Sequence, residues 1–512
     1  MLRFCKKRTR LYVLAIATSI ISSTLTRGQV STNVPVTRDE YRSLDRLNSF
    51  GLLDDYLYGM RPYSRSEFAR LIVEASTRLQ QDRINTSDGK ITGREAEAVE
   101  QTISDLESLF SSEIHDLNSE VNKRPWQVEI FRNLTVEQNY LDSPSRQIPE
   151  DIRWGDTDAF VNPLYAHHDG KRFVRGANSY LQFENRIQGF GFLSVDFTPY
   201  LYIGVPKDNG ESEQDFVIQR LSVKIGLRDV ELQLGRDQVI WGQGELGGVL
   251  LSNNPRPFDL IKLSTFHPLQ LPGILRHLGP TAGSIFVARL GKDRTFPHGT
   301  LIGFSVLSKP LSSLELGLYH TYLFGGRGAP EFGLLDHIAE FFFIRRHGET
   351  FNEPGSPNLA DHRAGIQFRF DVAALRHTKF YFEWMWDDFP AKILHGSAFL
   401  VGIHVPRLDF SGKTGLRIEF RSLARILYRH TVFRTGYADD GLIIGDPLGP
   451  KARGLSVGLT REISRPLFLE SLVSYEDYRG VRTPTVNLEG EHEQRLRTIF
   501  ALRLHLTSGW TV

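Results

Sequence analysis

From Trp126 to the C-terminus the chain alternates apolar and polar residues with a period of two. Leu181, Phe183 and Ile187 alternate with Gln182, Glu184 and Arg186, and Leu221, Val223, Ile225 and Leu227 with Ser222, Lys224 and Gly226. Phe380, Phe382, Trp384 and Trp386 flank Tyr381, Glu383 and Met385, and Leu416, Ile418 and Phe420 flank Arg417 and Glu419. The pattern persists to Phe500, Leu502, Leu504 and Leu506. Successive side chains of a strand point to opposite faces, so each segment predicts a strand with one greasy and one wet face. Repeats of ~8–12 residues over most of a chain are the cumulative mark of a membrane barrel.

A secreted β-sandwich or β-helix alternates too. Three features favour the barrel. The β region has no evident break, its polar faces are charged as a wet lumen allows, and unequal loops alternate with tight turns. The stretches 142–176, 254–282 and 323–361 read as long loops, whereas Arg228-Asp229 reads as a tight turn. Apolar residues are 40% and aromatics 11%, with 34 Phe, 17 Tyr and 45 Gly, which suits strands better than helix bundles. After residue 30 no apolar run is long enough for a membrane helix. A membrane position therefore requires a closed barrel, because open strand edges cannot face lipid. The expected fold is mainly β: a large antiparallel transmembrane β-barrel of about 16–18 strands over 125–512. The chain ends Trp510-Thr-Val512, whereas outer-membrane strands commonly end on an aromatic residue.

The N-terminus is a predicted signal peptide over 1–28. Arg3, Lys6, Lys7, Arg8 and Arg10 precede LYVLAIATSII, too short an apolar run to span a bilayer. Cys5 is the only cysteine and precedes that run, which excludes a disulfide framework and a thiolate metal site in a processed chain. With 61 basic and 60 acidic residues, no bulk attraction to nucleic acid is implied. Residues 30–120 read as a periplasmic three-helix domain. Thr37-Arg-Asp-Glu40, Ser64-Arg-Ser-Glu67 and Thr92-Gly-Arg-Glu95 are capping boxes, each ahead of a helical apolar stripe, the last running from Val99 to Ile114.

Asp229 to Pro257 reads DVELQLGRDQVIWGQGELGGVLLSNNPRP, a half-polar strand entering a glycine-rich excursion that suits a barrel rim or an in-folded loop. Arg236, Asn253, Asn254 and Arg256 are candidate donors to the carboxylates and hydroxyls of an acidic glycan, with Trp241 as a stacking surface. The same residues could instead brace an in-folded segment. Trp384 and Trp386 fit an interfacial girdle.

Other motifs lack their context. Gly242-Gln-Gly244-Glu-Leu-Gly247 fits G-x-G-x-x-G, but Asn254-Pro255-Arg256-Pro257 ends any helix that would receive a pyrophosphate. Gly454-Leu-Ser456-Val-Gly458 lies in a plain strand, not at a nucleophile elbow. His167, His168 and Asp169, or His337 and Glu340, are metal candidates without a spaced third ligand. Asp387 with Asp388, and Asp336 with Glu340, are the candidate glycosidase carboxylates.

Gly235-Arg236, Trp241-Gly-x-Gly244 and Leu251-Ser-Asn-Asn-x-Arg-Pro257 resemble the signature of the Wzi-like capsule-assembly family. Leu44 to Leu53, Arg61-Pro62-x-Ser64-Arg65, Asn162-Pro-Leu, Gly170-Lys-Arg, Gly176-Ala-Asn178, Asp361-His-Arg363 and Gly445-Asp-Pro-Leu-Gly449 resemble further family elements. Pro255 and the non-aromatic C-terminus depart from the pattern. The resemblance implies a monomeric outer-membrane barrel with a periplasmic helical bundle, in contact with outer-membrane lipid. It implies a lectin-like protein that attaches capsular or extracellular polysaccharide to the cell surface, without catalysis, cofactor or nucleic acid. A porin-like channel and an exported polysaccharide-active enzyme are the alternatives.

Overall fold

The computed structural model describes residues 30–504, apart from 86–93, 119–125, 143–144, 150, 152–156, 158, 163–167, 209, 246, 330–332, 342–359, 388–395, 410, 465–466 and 480–491. The leader at 1–28, Thr92, His167, Asp388 and Trp510 lie outside these residues, as do the side chains of Asp336 and Glu340.

Among the described residues the long alternating region closes into a barrel of seventeen strands, one of them only the two-residue Leu269–Gln270. The sixteen full staves are β1 (Trp126–Leu141), β2 (Gly176–Gly189), β3 (Leu193–Pro206), β4 (Glu213–Leu227), β5 (Val230–Asp237), β6 (Phe258–Thr265), β7 (Pro280–Arg289), β8 (Thr300–Leu311), β9 (Leu314–Phe324), β10 (Ala360–Val372), β11 (Thr378–Asp387), β12 (Ser397–Val405), β13 (Thr414–Leu423), β14 (Ala452–Ser464), β15 (Leu467–Arg479) and β16 (His492–Leu504). Consecutive staves pair antiparallel, so the expected fold class and strand number both hold.

Burial along each stave is inverted relative to a soluble protein. On β3, Leu201, Ile203 and Val205 are exposed while Tyr200 and Tyr202 are buried. On β11, Phe380 is exposed while Lys379, Tyr381, Glu383 and Asp387 are buried. Ile261, Val287, Phe304, Leu318, Phe368, Val401, Phe420, Val457 and Val473 continue the apolar exterior round the barrel. Such a surface is stable only in hydrocarbon, where closed hydrogen bonding leaves no strand edge unpaired. Aromatic clusters mark both borders. Trp126 and Phe190 rings lie 5.0 Å apart near the short-turn end. Trp384 and Trp386 lie 4.7 Å apart near the other end, facing outward as a girdle requires.

One expected loop is corrected. Within 254–282 lies β6, followed by a connection at the short-turn end. Its alternation was masked because both faces carry apolar residues: Ile261 and Leu263 face out, while Phe258 and Leu260 face an apolar core inside the barrel.

Among its described residues the N-terminal part has four helices where three were expected: α1 (Glu40–Ser49), α2 (Arg65–Asn85), α3 (Arg94–Leu109) and α4 (Ser111–Asn118). The chain turns at Phe110, which places Ile114 on α4, and the Phe110 ring stacks on Phe68 at 5.1 Å in the shared core. Of the capping boxes, Ser64 Oγ accepts the Glu67 amide at 3.1 Å as expected. The Glu67 carboxylate turns instead to Arg70. The Thr37 box does not form, because Pro35–Arg38 closes its own turn and α1 opens after Asp39 without a side-chain cap.

Candidate functional site

Beyond β5 the chain folds into the barrel. Trp241, Val249, Leu250 and Leu251 are completely buried, packed with Phe258, Leu260, Phe286, Tyr319 and Tyr381. This in-folded segment, 238–257, is pinned through its backbone. The amides of Gln243 and Gly244 donate to Glu383 Oε1 at 2.6 and 3.2 Å, and that of Val249 to Oε2 at 3.1 Å. The Glu245 amide donates to Glu419 at 2.7 Å. The glycines permit the fold: Gly242 has φ +140°, and a Cβ on Gly248 would lie 1.9 Å from the Trp241 carbonyl oxygen.

The helical head meets this plug from the short-turn end. The Tyr58 and Gly59 amides donate to Glu315 at 2.8 and 2.9 Å. Met60–Arg61 then pairs antiparallel with Ile240–Trp241, and Arg61 donates to the carbonyls of Gly242 and Gly244. Arg38, Arg42 and Arg46, spaced by four, reach Glu184, Glu470 and Glu462 on the wall at 2.6, 2.7 and 2.8 Å. Arg65 and Arg186 flank Glu113 at 2.6 and 3.2 Å. Burial pushes the Glu113 carboxyl up, but the two guanidinium groups more than reverse this and hold it below the ordinary glutamate range.

At the long-loop end, residues 424–451 cover the plug. The Tyr428 amide donates to Asp387 at 2.8 Å, its hydroxyl donates to the Val249 carbonyl, and Ser252 Oγ donates to the Gly445 carbonyl at 2.6 Å. The crown above carries Phe296 edge-on to Phe433 at 5.3 Å. Burial raises the Asp439 carboxyl above its ordinary range, with Arg294 and the Gly291 amide pulling it back.

The five candidate residues do not converge on one surface. Arg236 sits on the outer side of β5, where it grips Asp259 at 2.7 and 2.8 Å. Trp241 is enclosed against Phe286, so no sugar ring reaches it here. Asn253 approaches Asp169 at 3.4 Å. Asn254 bridges the Ile443 carbonyl at 2.7 Å and His168 Nε2 at 3.1 Å. Arg256 pairs with Asp440 at 2.9 Å and stays partly exposed in the crown, close to the exposed Arg172, which donates to the Asp440 carbonyl. Asn253, Asn254 and Arg256 thus tie 168–172 and 439–443 to the plug.

The other motifs are absorbed by the same architecture. The glycine-rich loop is an anion nest whose occupant is the protein's own Glu383. Ser456 is a buried lumen residue on β14. His168 serves Asn254, and His337 accepts or donates at the Tyr322 hydroxyl, 3.0 Å away. Asp387 is the partner of buried Arg363, at 3.1 Å, beside Asp361. Sequence reasoning missed the wall glutamates Glu315, Glu383 and Glu419 and the arginine ladder that runs from Arg38 into α1. The ladder was findable, since one charge type recurred every four residues beside a helical apolar stripe.

These features define an outer-membrane β-barrel whose lumen is occupied by segments of its own chain. The family model for capsule assembly protein Wzi matches residues 157–512, and the chain belongs to that family. A solved Escherichia coli structure is similar: Wzi, an outer-membrane protein involved in group 1 capsule assembly and a carbohydrate-binding β-barrel. The identity is 17%, the alignment covers 90% of this chain and 87% of that one, and the TM-score is 0.59, which is a likeness of fold. An uncharacterised 55.8 kDa protein of a Klebsiella pneumoniae cps region is 25% identical over 175 residues. That match spans 34% of this chain and 33% of the relative.

Proposed function

We propose that this member of the Wzi family holds capsular or extracellular polysaccharide on the cell surface as a monomeric, non-catalytic lectin. One observation carries the reading: the plug at 238–257 and the head loop at 58–61 occupy the lumen together. A porin needs that space open. The surface left to a polymer is the crown, where Arg256 and Arg172 surround Asp440. Guanidinium groups there suit the carboxylates and hydroxyls of an acidic glycan. No catalytic step is assigned, since Asp387 is committed to Arg363 and the Tyr428 amide. In this reading 1–28 is a cleaved export signal and 30–120 a periplasmic domain. The test is deletion of the protein in its host. Polysaccharide should appear in the medium while total synthesis continues, and Arg172→Ala with Arg256→Ala should reproduce part of that release. Polysaccharide that stays cell-bound after deletion refutes the reading.

A further inference from the structure

Helix α5 (Leu334–Phe341) lies on the outside of the barrel wall, over β9. The outward face of β9 shows this. Leu316 and Leu318 are 41% and 59% exposed, but His320 and Tyr322, further along the same face, are 8% and 0% exposed. His337 and Phe341, one helical turn apart, do the covering. The His337 ring lies 4.1 Å from Phe324 and its Nδ1 3.0 Å from the Tyr322 hydroxyl, while Phe341 lies 5.0 Å from the His320 ring. The helix therefore fastens to the wall through polar aromatic contacts that bare hydrocarbon would leave costly.

Its other face is apolar and open. Leu335 is 80% exposed and Ile338 45% exposed. Spaced three apart, they share a side of the helix. Strand register fixes the height: Ala364 pairs with His320 on one side and Trp386 on the other. The helix thus rides level with the Trp384 and Trp386 girdle. Phe304, 40% exposed on the lipid-facing wall, is the direct neighbour of His320. The apolar face of α5 is continuous with the bilayer-facing belt, and that continuity decides its occupant.

We propose that α5 is an interfacial helix, lying in the outer leaflet with Leu335 and Ile338 among the lipid acyl chains. Apolar faces of surface helices bury in this way at the headgroup–acyl boundary. The inference depends on the barrel's membrane position and not on sugar binding. The test uses the full-length protein in phosphatidylcholine liposomes, on a Cys5→Ser background. Bimane is attached at Ile338→Cys, with Phe304→Cys as a lipid-facing reference and Arg327→Cys as an aqueous one. A nitroxide lipid labelled near the headgroup should quench position 338 about as strongly as 304 and several-fold more than 327. Aqueous iodide should show the reverse order. Leu335→Cys repeats the measurement should Ile338→Cys fail to insert. A label at 338 that tracks 327 in both quenchers overturns the proposal, as does disulfide cross-linking of 338 between two copies, which would make the face a protein contact.

Discussion

Replacing Glu383 by Ala removes the acceptor of three backbone amides at once. Gln243 and Gly244 donate to one oxygen and Val249 to the other, all in a completely buried setting. A buried donor left without an acceptor costs ~1–3 kcal/mol, so the three together weaken the plug by roughly 3–9 kcal/mol. A tenfold change in an equilibrium corresponds to ~1.4 kcal/mol, so plug opening should become more frequent by roughly two to six powers of ten. The barrel wall itself loses no cross-strand backbone bond, so the change is a local opening rather than global unfolding. Planar-bilayer conductance reads this directly. The unaltered protein should pass little current, and Glu383→Ala should show frequent or sustained open events. Glu383→Gln, which keeps one acceptor oxygen but presents an amide donor to the other site, should fall between them. Phe304→Ala on the lipid face is the control and should stay closed. If Glu383→Ala inserts normally and conducts no more than Phe304→Ala, the pinning argument is wrong.

Trp241→Ala should destabilise the plug by ~3–5 kcal/mol, as for a large aromatic lost from a closed core, and a lower unfolding temperature of the refolded barrel by heat-dependent gel mobility would register it. Gly248→Ala places a methyl group 1.9 Å from the Trp241 carbonyl, so it should also raise conductance although it adds only one carbon. The pH prediction concerns Glu113, whose carboxyl is held below its ordinary range between Arg65 and Arg186. A depressed folded value adds stability above the unfolded value, about 4.3, that is lost as pH falls through the folded one. Docking of α4 on the wall should therefore weaken below roughly pH 4.3, seen as faster acid-protease cleavage within 111–118, and Glu113→Gln should flatten that pH step.

The barrel was legible because its lipid-facing residues need only be apolar at every second position, and Phe380, Phe382, Trp384 and Trp386 obey that rule without reference to distant partners. Strand β6 was not legible, since its inner face had to be apolar to meet the plug. In the sequence Glu383 is only a polar position alternating with Phe382 and Trp384. Its role depends on backbone amides some 134 to 140 residues away in sequence, which carry no residue-type signal. The candidate residues were legible as a cluster but not as separate roles. Gly-Arg and Trp-Gly-x-Gly mark one continuous segment, yet Arg236 ends on the outer side of the wall and Trp241 at the centre of the plug. Only pairing across the chain separates them.

The filled lumen also has a mechanical logic. A closed sheet of sixteen staves encloses more space than wall side chains can fill, so a segment entering it must satisfy its own backbone there. Glutamates on three different staves provide that acceptor service: Glu315 for the head loop, Glu383 and Glu419 for the plug. The two inserted segments then satisfy each other, the Gly242 amide donating to the Gly59 carbonyl at 2.9 Å beside the Met60–Trp241 pair. Withdrawing either segment strands polar groups of the other, so the two closures reinforce one another. A barrel built this way stays closed only while both inserted segments are seated, which is why unseating the plug at Glu383 is expected to open it. It is suited to present a fixed outer crown, which is the property a surface anchor for a polymer needs and a diffusion pore does not.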